Sequence, residues 1–151
     1  MSLITIEPCK PNNPEASRLL QQSQALMQSL FPVESNHYLS IEALCMPDVR
    51  FFVARRRNVS VGCGGLKVYD DYAEVKSLFT DPAARRLGVA DLLLTHLENA
   101  ARTENRQYLR LETGDLLYDA HRLYTRHGFV KRGPFGDYVD DPRSIFMEKT
   151  L

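Results

Sequence analysis

Several residue types and patterns are scarce or missing in this sequence. It has no tryptophan and only three cysteines, and its 19 basic residues balance 19 acidic ones. The cysteines, Cys9, Cys45 and Cys63, lack metal-site spacing, which indicates reduced thiols in a cytoplasmic protein. The balanced charge argues against nucleic acid or a membrane surface as a partner. The chain lacks the ~18-residue apolar run of a membrane-spanning helix, and its N-terminus lacks the basic stretch of a signal peptide.

Two common phosphate-binding motifs are also missing. The triphosphatase loop G-x-x-x-x-G-K-[ST] does not occur. The closely spaced glycines, Gly62, Gly64 and Gly65, fall inside a predicted strand and not at the strand-to-helix turn of a dinucleotide site. Neither type of nucleotide site is therefore expected.

The hydrophobic periodicity predicts one domain, residues 1–151, long enough to bury roughly 70% of its unfolded surface. The element order is β-α-α-β-β-β-α-β-α-β-β, which indicates a mixed α/β sandwich. Strands are predicted at residues 3–7, 50–56, 59–69, 73–80, 108–113, 129–132 and 144–149. Helices are predicted at residues 14–30, 40–45, 88–101 and 116–127.

The strand at 73–80 runs into the helix at 88–101 through a junction that predicts an anion site. Gly88 lies at the first turn of this helix, where no side chain keeps a ligand from the backbone. The free N–H groups of a first turn and the positive end of the helix dipole attract anions. Arg85 and Arg86 add two permanent charges. A pyrophosphate held without metal by backbone and arginine suits coenzyme A.

Two motifs resemble those of the GCN5-related N-acetyltransferases (GNAT). Arg85, Gly88 and Ala90 form R-x-x-G-x-A, which is similar to the family's [Q/R]-x-x-G-x-[G/A]. Residues 123–129, L-Y-T-R-H-G-F, resemble the family's L-Y-x-x-x-G-F. The segments at 133–138 and 141–144 resemble the small bacterial YsnE-like subgroup. The resemblance covers nearly the whole chain.

The resemblance implies a mixed, mostly antiparallel sheet flanked by helices, and transfer of acetyl from acetyl-CoA, without metal. The acceptor is expected to be the amine of a small molecule or amino acid, which attacks directly in a ternary complex. Two alternatives stay open: an acetyl-CoA-binding sensor without turnover, and a protein or peptide N-acetyltransferase. A homodimer also stays open.

The resemblance also implies which residues contact the coenzyme. In the family the signature strand bulges, and main-chain groups there hold the pantetheine arm and the thioester carbonyl; a bulge frees the N–H groups that this requires. Many members place Asn where this chain has Leu117, so that contact to the arm is missing or replaced. The expected coenzyme residues are Leu78, Phe79, Thr80, Arg85, Arg86, Leu87, Gly88, Val89, Ala90 and Asp91.

Acetyl transfer to an amine needs a proton acceptor for the amine and a proton donor for the departing thiolate. Tyr124 corresponds to the family tyrosine that protonates the thiolate. Glu74 and Glu112 match two alternative base positions in the family, and Glu112 is preferred because a strand end beside glycine opens readily onto a cleft. The structural alternative pairs these carboxylates with Lys76 or Arg110 on the same strand face.

Three residues are candidates for the acceptor side. His37 lies in the loop between the first two helices, which lines the acceptor pocket in this family; the alternative is a solvated side chain. Phe135 and Tyr138 are candidates for a lid over the pocket, and the alternative is that they anchor a turn-rich loop. The remaining histidines lack H-x-x-x-H spacing, so no metal site is expected.

Overall fold

The computed structural model describes residues 3–151, and its elements follow the predicted order. The helices are α1 (Pro14–Leu30), α2 (Ile41–Leu44), α3 (Val89–Thr103) and α4 (Tyr118–Arg126). The strands are β1 (Ile4–Pro8), β2 (Val49–Arg56), β3 (Val59–Val68), β4 (Tyr72–Thr80), β5 (Tyr108–Gly114), β6 (Val130–Arg132) and β7 (Ser144–Thr150). Of the helices in this range, none combines the length and hydropathy needed to cross a bilayer.

The seven strands form one sheet in the order β1-β2-β3-β4-β5-β7-β6. Neighbours are antiparallel except β4 and β5, which are parallel. The parallel pair shares only three register positions, ending at Glu74 and Arg110. Beyond them β5 stays paired with β7 through Gly114, while β4 continues along β3 to Thr80. The two halves of the sheet therefore separate between β4 and β5.

A bulge interrupts β4 at Ser77 and Leu78, beyond the end of its pairing with β5 at Glu74. Lys76 pairs with Gly65 and Phe79 with Cys63, so two residues of β4 face Gly64 alone. One of them, Ser77, has φ +54°, and such an extra residue leaves backbone groups outside the ladder. The predicted bulge is thus present in this strand.

Helices cover both faces of the sheet. α3 and α4 pack on one face over a core that includes Leu66, Leu97 and Leu109, all of them fully buried. α1 and α2 cover the opposite face of β2 and β3 with Leu19 and Leu44. Since side chains alternate along a strand, the residues of β4 and β5 on this second face point away from α3 and toward the α1 side.

The predicted turns and helix ends are present. Asn13 caps α1, with Pro14 in its first turn. Arg57 and Asn58 take positive φ in the β2–β3 hairpin. Gly128, with φ +91°, follows α4 as its left-handed stop. α4 begins two residues later than predicted, at Tyr118, because its N-cap Leu117 offers no side-chain hydrogen bond and so leaves no sequence signal.

Candidate active site

The gap between β4 and β5 holds a cavity of about 120 Å³. Residues 74–78 of β4 and 112–114 of β5 form two of its walls. Residues 35–38, which follow α1, form a third wall, and Tyr124 of α4 forms part of a fourth. The cavity therefore collects Glu74, Glu112, Tyr124 and His37, which the sequence placed on separate elements.

Glu74, Lys76 and Tyr138 form a buried polar cluster at the edge of this cavity. The Tyr138 hydroxyl donates to Glu74 Oε2 at 2.5 Å. Lys76 Nζ donates to the Tyr138 hydroxyl at 2.8 Å and lies 3.1 Å from the same Glu74 oxygen. Burial and the neighbouring Glu74 carboxylate raise the pKa of Tyr138, so its phenol keeps the proton that it donates.

This cluster ties β4 to both loops beside the cavity. Lys76 Nζ also donates to the carbonyl of His37, at 3.3 Å, so the three acceptors around the ammonium match its three N–H groups. The His37 ring packs edge-on against Tyr138, with centroids 5.3 Å apart. Glu74 is 2% exposed, and the Lys76 pair proposed as its structural alternative is present. The Glu74 carboxylate therefore already binds the Lys76 ammonium and the Tyr138 hydroxyl.

Glu112 has a different environment. It points into the same space from β5, and its Oε2 accepts one hydrogen bond, from Ser144 Oγ at 2.7 Å. Arg110, the suggested structural partner, instead binds Glu148 at 2.7 Å. Burial raises the pKa of Glu112 from 4.5 to about 7, against the lowering effects of Ser144 and Lys76. A carboxylate with this pKa is partly ionised at neutral pH and suits a general base.

Tyr124 approaches the cavity from α4, on the side opposite the loops. Its ring packs edge-on against Phe129, with centroids 5.7 Å apart. Burial raises the pKa of Tyr124, and the charge on Glu112 raises it further. The phenol therefore keeps its proton at neutral pH and is available as a donor. Leu117, the departure from the family pattern, lies at the N-cap of this helix and also lines the cavity.

The predicted coenzyme residues of β4 occupy the bulge and the strand end. Leu78 lies in the bulge and lines the cavity, as does Ser77, which the sequence reasoning missed. Phe79 and Thr80 are back in register with β3. The buried hydroxyl oxygen of Thr80 has no hydrogen-bond partner within residues 3–151. A positive φ at a serine has no sequence signal, so the position of the bulge could not be read from composition.

The junction before α3 has the geometry of an anion site. Gly88 is the N-cap, with φ +78° and no side-chain cap, and a Cβ added there would meet no atom of the described chain within 4 Å. Arg86 also takes positive φ, +66°. Arg85, Arg86 and Leu87 are exposed. The first turn of α3 is therefore open to a ligand at Gly88, and two exposed arginines precede it in the chain.

The other predicted residues of this junction anchor the helix. Val89 is buried, and a Cβ on Gly62 would lie 2.7 Å from it, which explains a glycine inside β3. Ala90 packs against the main core. The Asp91 carboxylate accepts hydrogen bonds from Arg126 at 2.9 Å and His127 at 2.8 Å. Asp91 thus joins the start of α3 to the end of α4.

The loop at 133–143 contributes its two aromatic candidates differently. Tyr138 reaches the polar cluster described above. Phe135 is buried in an aromatic cluster, with its ring centroid 5.6 Å from Tyr72 and 5.8 Å from Phe146. The Tyr138 ring packs against the same cluster, 5.1 Å from Phe135. This is the anchoring alternative considered for Phe135. The loop is also tied to the residues after α1, since Ser35 Oγ donates to Asp141 Oδ2 at 2.8 Å.

A protein-family model matches the central part of the chain. The family model described as "Acetyltransferase (GNAT) domain" matches residues 47–131. This span runs from the residues just before β2 into β6, and it includes the bulged strand, the Gly88 junction, Glu112 and Tyr124.

Two curated relatives extend the match along the chain. An IAA acetyltransferase of Azospirillum brasilense is 41% identical over the whole of both chains. YsnE of Bacillus subtilis, an uncharacterized N-acetyltransferase, is 38% identical over 83% of this chain and 85% of its own.

Solved structures share the fold. A candidate acyl-CoA N-acyltransferase of Klebsiella pneumoniae superposes with a TM-score of 0.84, at 32% identity and over 99% of this chain and 98% of that one. The Paia N-acetyltransferase of Thermoplasma acidophilum, solved with coenzyme A, has a TM-score of 0.76 over 99% of both chains. Its 16% identity supports the fold alone.

Proposed function

The chain belongs to the GNAT family of acetyltransferases, and from this premise we propose that it moves an acetyl group from acetyl-CoA to the amine of a small molecule or amino acid. The observation that carries the proposal is the cavity between β4 and β5. It brings together a carboxylate with a pKa of about 7, Glu112, and a protonated phenol, Tyr124. Direct attack in a ternary complex needs these two groups on either side of the reacting carbonyl.

Two observations on this chain fit the coenzyme. The first turn of α3 has no side-chain cap and is open at Gly88, shortly after the exposed Arg85 and Arg86, where a pyrophosphate would be held. The Thr80 hydroxyl oxygen, buried and without a partner in residues 3–151, lies at the end of the strand along which the pantetheine arm would lie. When bound, acetyl-CoA supplies the activated acyl group.

Three sets of groups around the cavity each carry out one part of the reaction. Glu112 accepts the proton that the attacking amine loses. Backbone N–H groups freed by the bulge at Ser77 and Leu78 stabilise the negative charge that develops on the carbonyl oxygen. Tyr124 donates its proton to the departing sulfur. Burial keeps the Tyr124 phenol protonated, as a proton donor must be, and raises the pKa of Glu112 to about 7, so that part of this carboxylate is ionised at neutral pH and can accept a proton.

The size and closure of the acceptor side favour a small acceptor over a protein segment. The cavity is small, about 120 Å³, and its two bordering loops are joined by the Ser35–Asp141 hydrogen bond and by the His37–Tyr138 contact. A peptide would have to displace both. We therefore propose that His37, which lines the cavity, contacts the acceptor, and that Tyr138 closes the edge of the acceptor side beside it.

A turnover screen tests the proposal. Acetyl-CoA would be offered with amino acids, polyamines, peptides and, because of the relative's name, IAA, and both free thiol and acetylated product would be measured. We expect thiol release that depends on a small amine. Tight binding of acetyl-CoA without turnover of any acceptor would favour the sensor alternative, and turnover of peptides alone would favour the peptide-directed one.

Coenzyme binding is expected to need no divalent metal and to be sensitive to charge at Gly88. Calorimetry with and without EDTA should give the same affinity for acetyl-CoA. Gly88→Asp should lower this affinity at least ~10-fold more than Gly88→Asn, because the two side chains have nearly the same shape, both tolerate positive φ, and only Asp repels a pyrophosphate.

The Asp–Asn pair controls for the added bulk and for backbone strain. The difference between them should shrink as salt screens the repulsion. Equal affinities for the two variants, or loss of binding in EDTA, would contradict the proposed pyrophosphate site.

A further inference from the structure

Ser144 is the first residue of β7 and lies opposite Gly114 of β5. Its hydroxyl donates to Glu112 Oε2 at 2.7 Å. From this contact we infer that Ser144 is a positioning residue, which fixes one oxygen of the Glu112 carboxylate and leaves the other, Oε1, to take the acceptor proton. Within residues 3–151, Oε1 has no hydrogen-bond partner. The inference rests on the proposed role of Glu112 as the base.

The backbone that carries the Ser144 hydroxyl is held in place by the turn that precedes β7. The Ser144 N–H donates to the carbonyl of Asp141 at 2.9 Å, and Asp141 Oδ1 accepts from the Arg143 N–H at 2.8 Å. The other Asp141 oxygen accepts from Ser35. Ser144 is therefore anchored both to its own turn and, through Asp141, to the loop that closes the acceptor side. A hydroxyl on a backbone that is anchored in this way orients a carboxylate better than a hydroxyl on a mobile segment would.

The charged and titratable groups around Glu112 come from three elements. β4 contributes Lys76, which lowers the pKa of Glu112, and Glu74, which raises it; the loop contributes Asp141, which also raises it. α4 contributes Tyr124, which stays protonated. Burial is the largest influence on Glu112, and the Ser144 hydrogen bond is the largest one that opposes it.

Removing the Ser144 hydroxyl should therefore raise the pKa of Glu112. A hydrogen bond to the ionised form favours that form, so Ser144→Ala should raise the pKa of Glu112 by about one unit. At neutral pH the ionised fraction then falls, and kcat/KM should fall about fivefold or more. At alkaline pH Glu112 is ionised in both proteins. The remaining difference in kcat/KM should then be only the part that comes from a less well oriented carboxylate.

The experiment measures the pKa of Glu112 without relying on turnover. The carboxyl carbon of Glu112 is titrated by NMR in the wild type, Ser144→Ala and Ser144→Thr, and the pH profile of kcat/KM is recorded for each. In Ser144→Ala we expect the Glu112 pKa from NMR and the midpoint of the acidic limb of kcat/KM to shift to higher pH by the same amount. In Ser144→Thr, which keeps the hydroxyl, both values should return toward those of the wild type. Ser144→Cys, close in volume but a weak donor, gives the same comparison if the Ala variant does not fold.

The outcomes distinguish the role of Ser144 in positioning Glu112 from the role of Glu112 as the base. An unchanged Glu112 pKa in a folded variant without the hydroxyl would overturn the role of Ser144. If the NMR titration shows a changed Glu112 pKa while the acidic limb of the kcat/KM profile stays where it is in the wild type, Ser144 does hydrogen-bond and orient Glu112, but Glu112 is not the base. Equal kcat/KM losses at every pH, with no pKa shift, would mean that Ser144 acts only on the structure of the strand.

Discussion

Replacing Tyr124 by Phe is expected to lower kcat by ~10²–10⁴-fold and to leave the affinity for acetyl-CoA nearly unchanged. Phe keeps the ring that packs against Phe129 and removes only the phenolic proton. That proton is needed when the thiolate departs and not when the coenzyme binds, so the loss should fall on kcat. Steady-state kinetics and a separate binding titration measure the two quantities.

The same change at Tyr118 provides a matched control. Tyr118 begins the same helix, but its side chain is 60% exposed, so Tyr118→Phe should keep the wild-type kcat. A well-folded Tyr124→Phe variant with an unchanged kcat would show that Tyr124 only packs in the core. The thiolate would then take its proton from another source.

Features encoded within a single segment were predicted well. α1 was predicted at its observed bounds because Pro14 begins it and Phe31-Pro32 ends it. The hairpin turn at Arg57-Asn58 and the stop at Gly128 follow from local backbone preferences. The Gly88 junction is also local, since a strand, a glycine and a helix follow one another directly. The assignment to the GNAT family, confirmed by the match over residues 47–131, depended on two such local motifs.

Contacts between distant segments could not be read from the sequence. Ser144 meets Glu112 because β7 pairs with β5 in one particular register, and sequence patterns do not specify the register between strands so far apart. The same holds for Tyr138, whose hydroxyl reaches Glu74 from a loop 64 residues away. Phe135, three residues earlier, is buried against Tyr72 and Phe146 and does not reach the polar cluster, whereas Tyr138 contacts both clusters. Loop direction of this kind depends on tertiary packing.

Glu112→Gln is expected to lower kcat/KM by ~10²-fold or more at neutral pH and to flatten the acidic limb of its pH profile. The wild-type limb should lie near the Glu112 pKa of about 7, with activity lost as the pH falls and the carboxylate becomes protonated. Gln has nearly the same shape and can still accept the Ser144 hydrogen bond, but it cannot take a proton. The variant's own chemistry should therefore show little dependence on pH in that range.

Loss of folding is not expected to explain such a result. The pKa of Glu112 is raised in the native state from 4.5 to about 7, so between these values the folded protein binds more protons than the unfolded chain. Its contribution to stability then decreases as the pH rises through this window. Gln removes that ionisation cost, so Glu112→Gln should be at least as resistant to thermal unfolding as the wild type at alkaline pH.

Glu74→Gln is the matched comparison, because the same chemical change is made in the other carboxylate of the cavity. Its expected cost to kcat/KM is far smaller, since Glu74 Oε2 is already engaged by Tyr138 and Lys76. The variant leaves the buried Lys76 ammonium without its carboxylate, so a lower melting temperature is expected, and rates should be compared well below it.

A greater loss in Glu74→Gln than in Glu112→Gln, with both folded, would assign the base to Glu74. Small and equal losses would mean that water relays the proton or that the amine arrives neutral, and that positioning and the bulge N–H groups supply most of the rate.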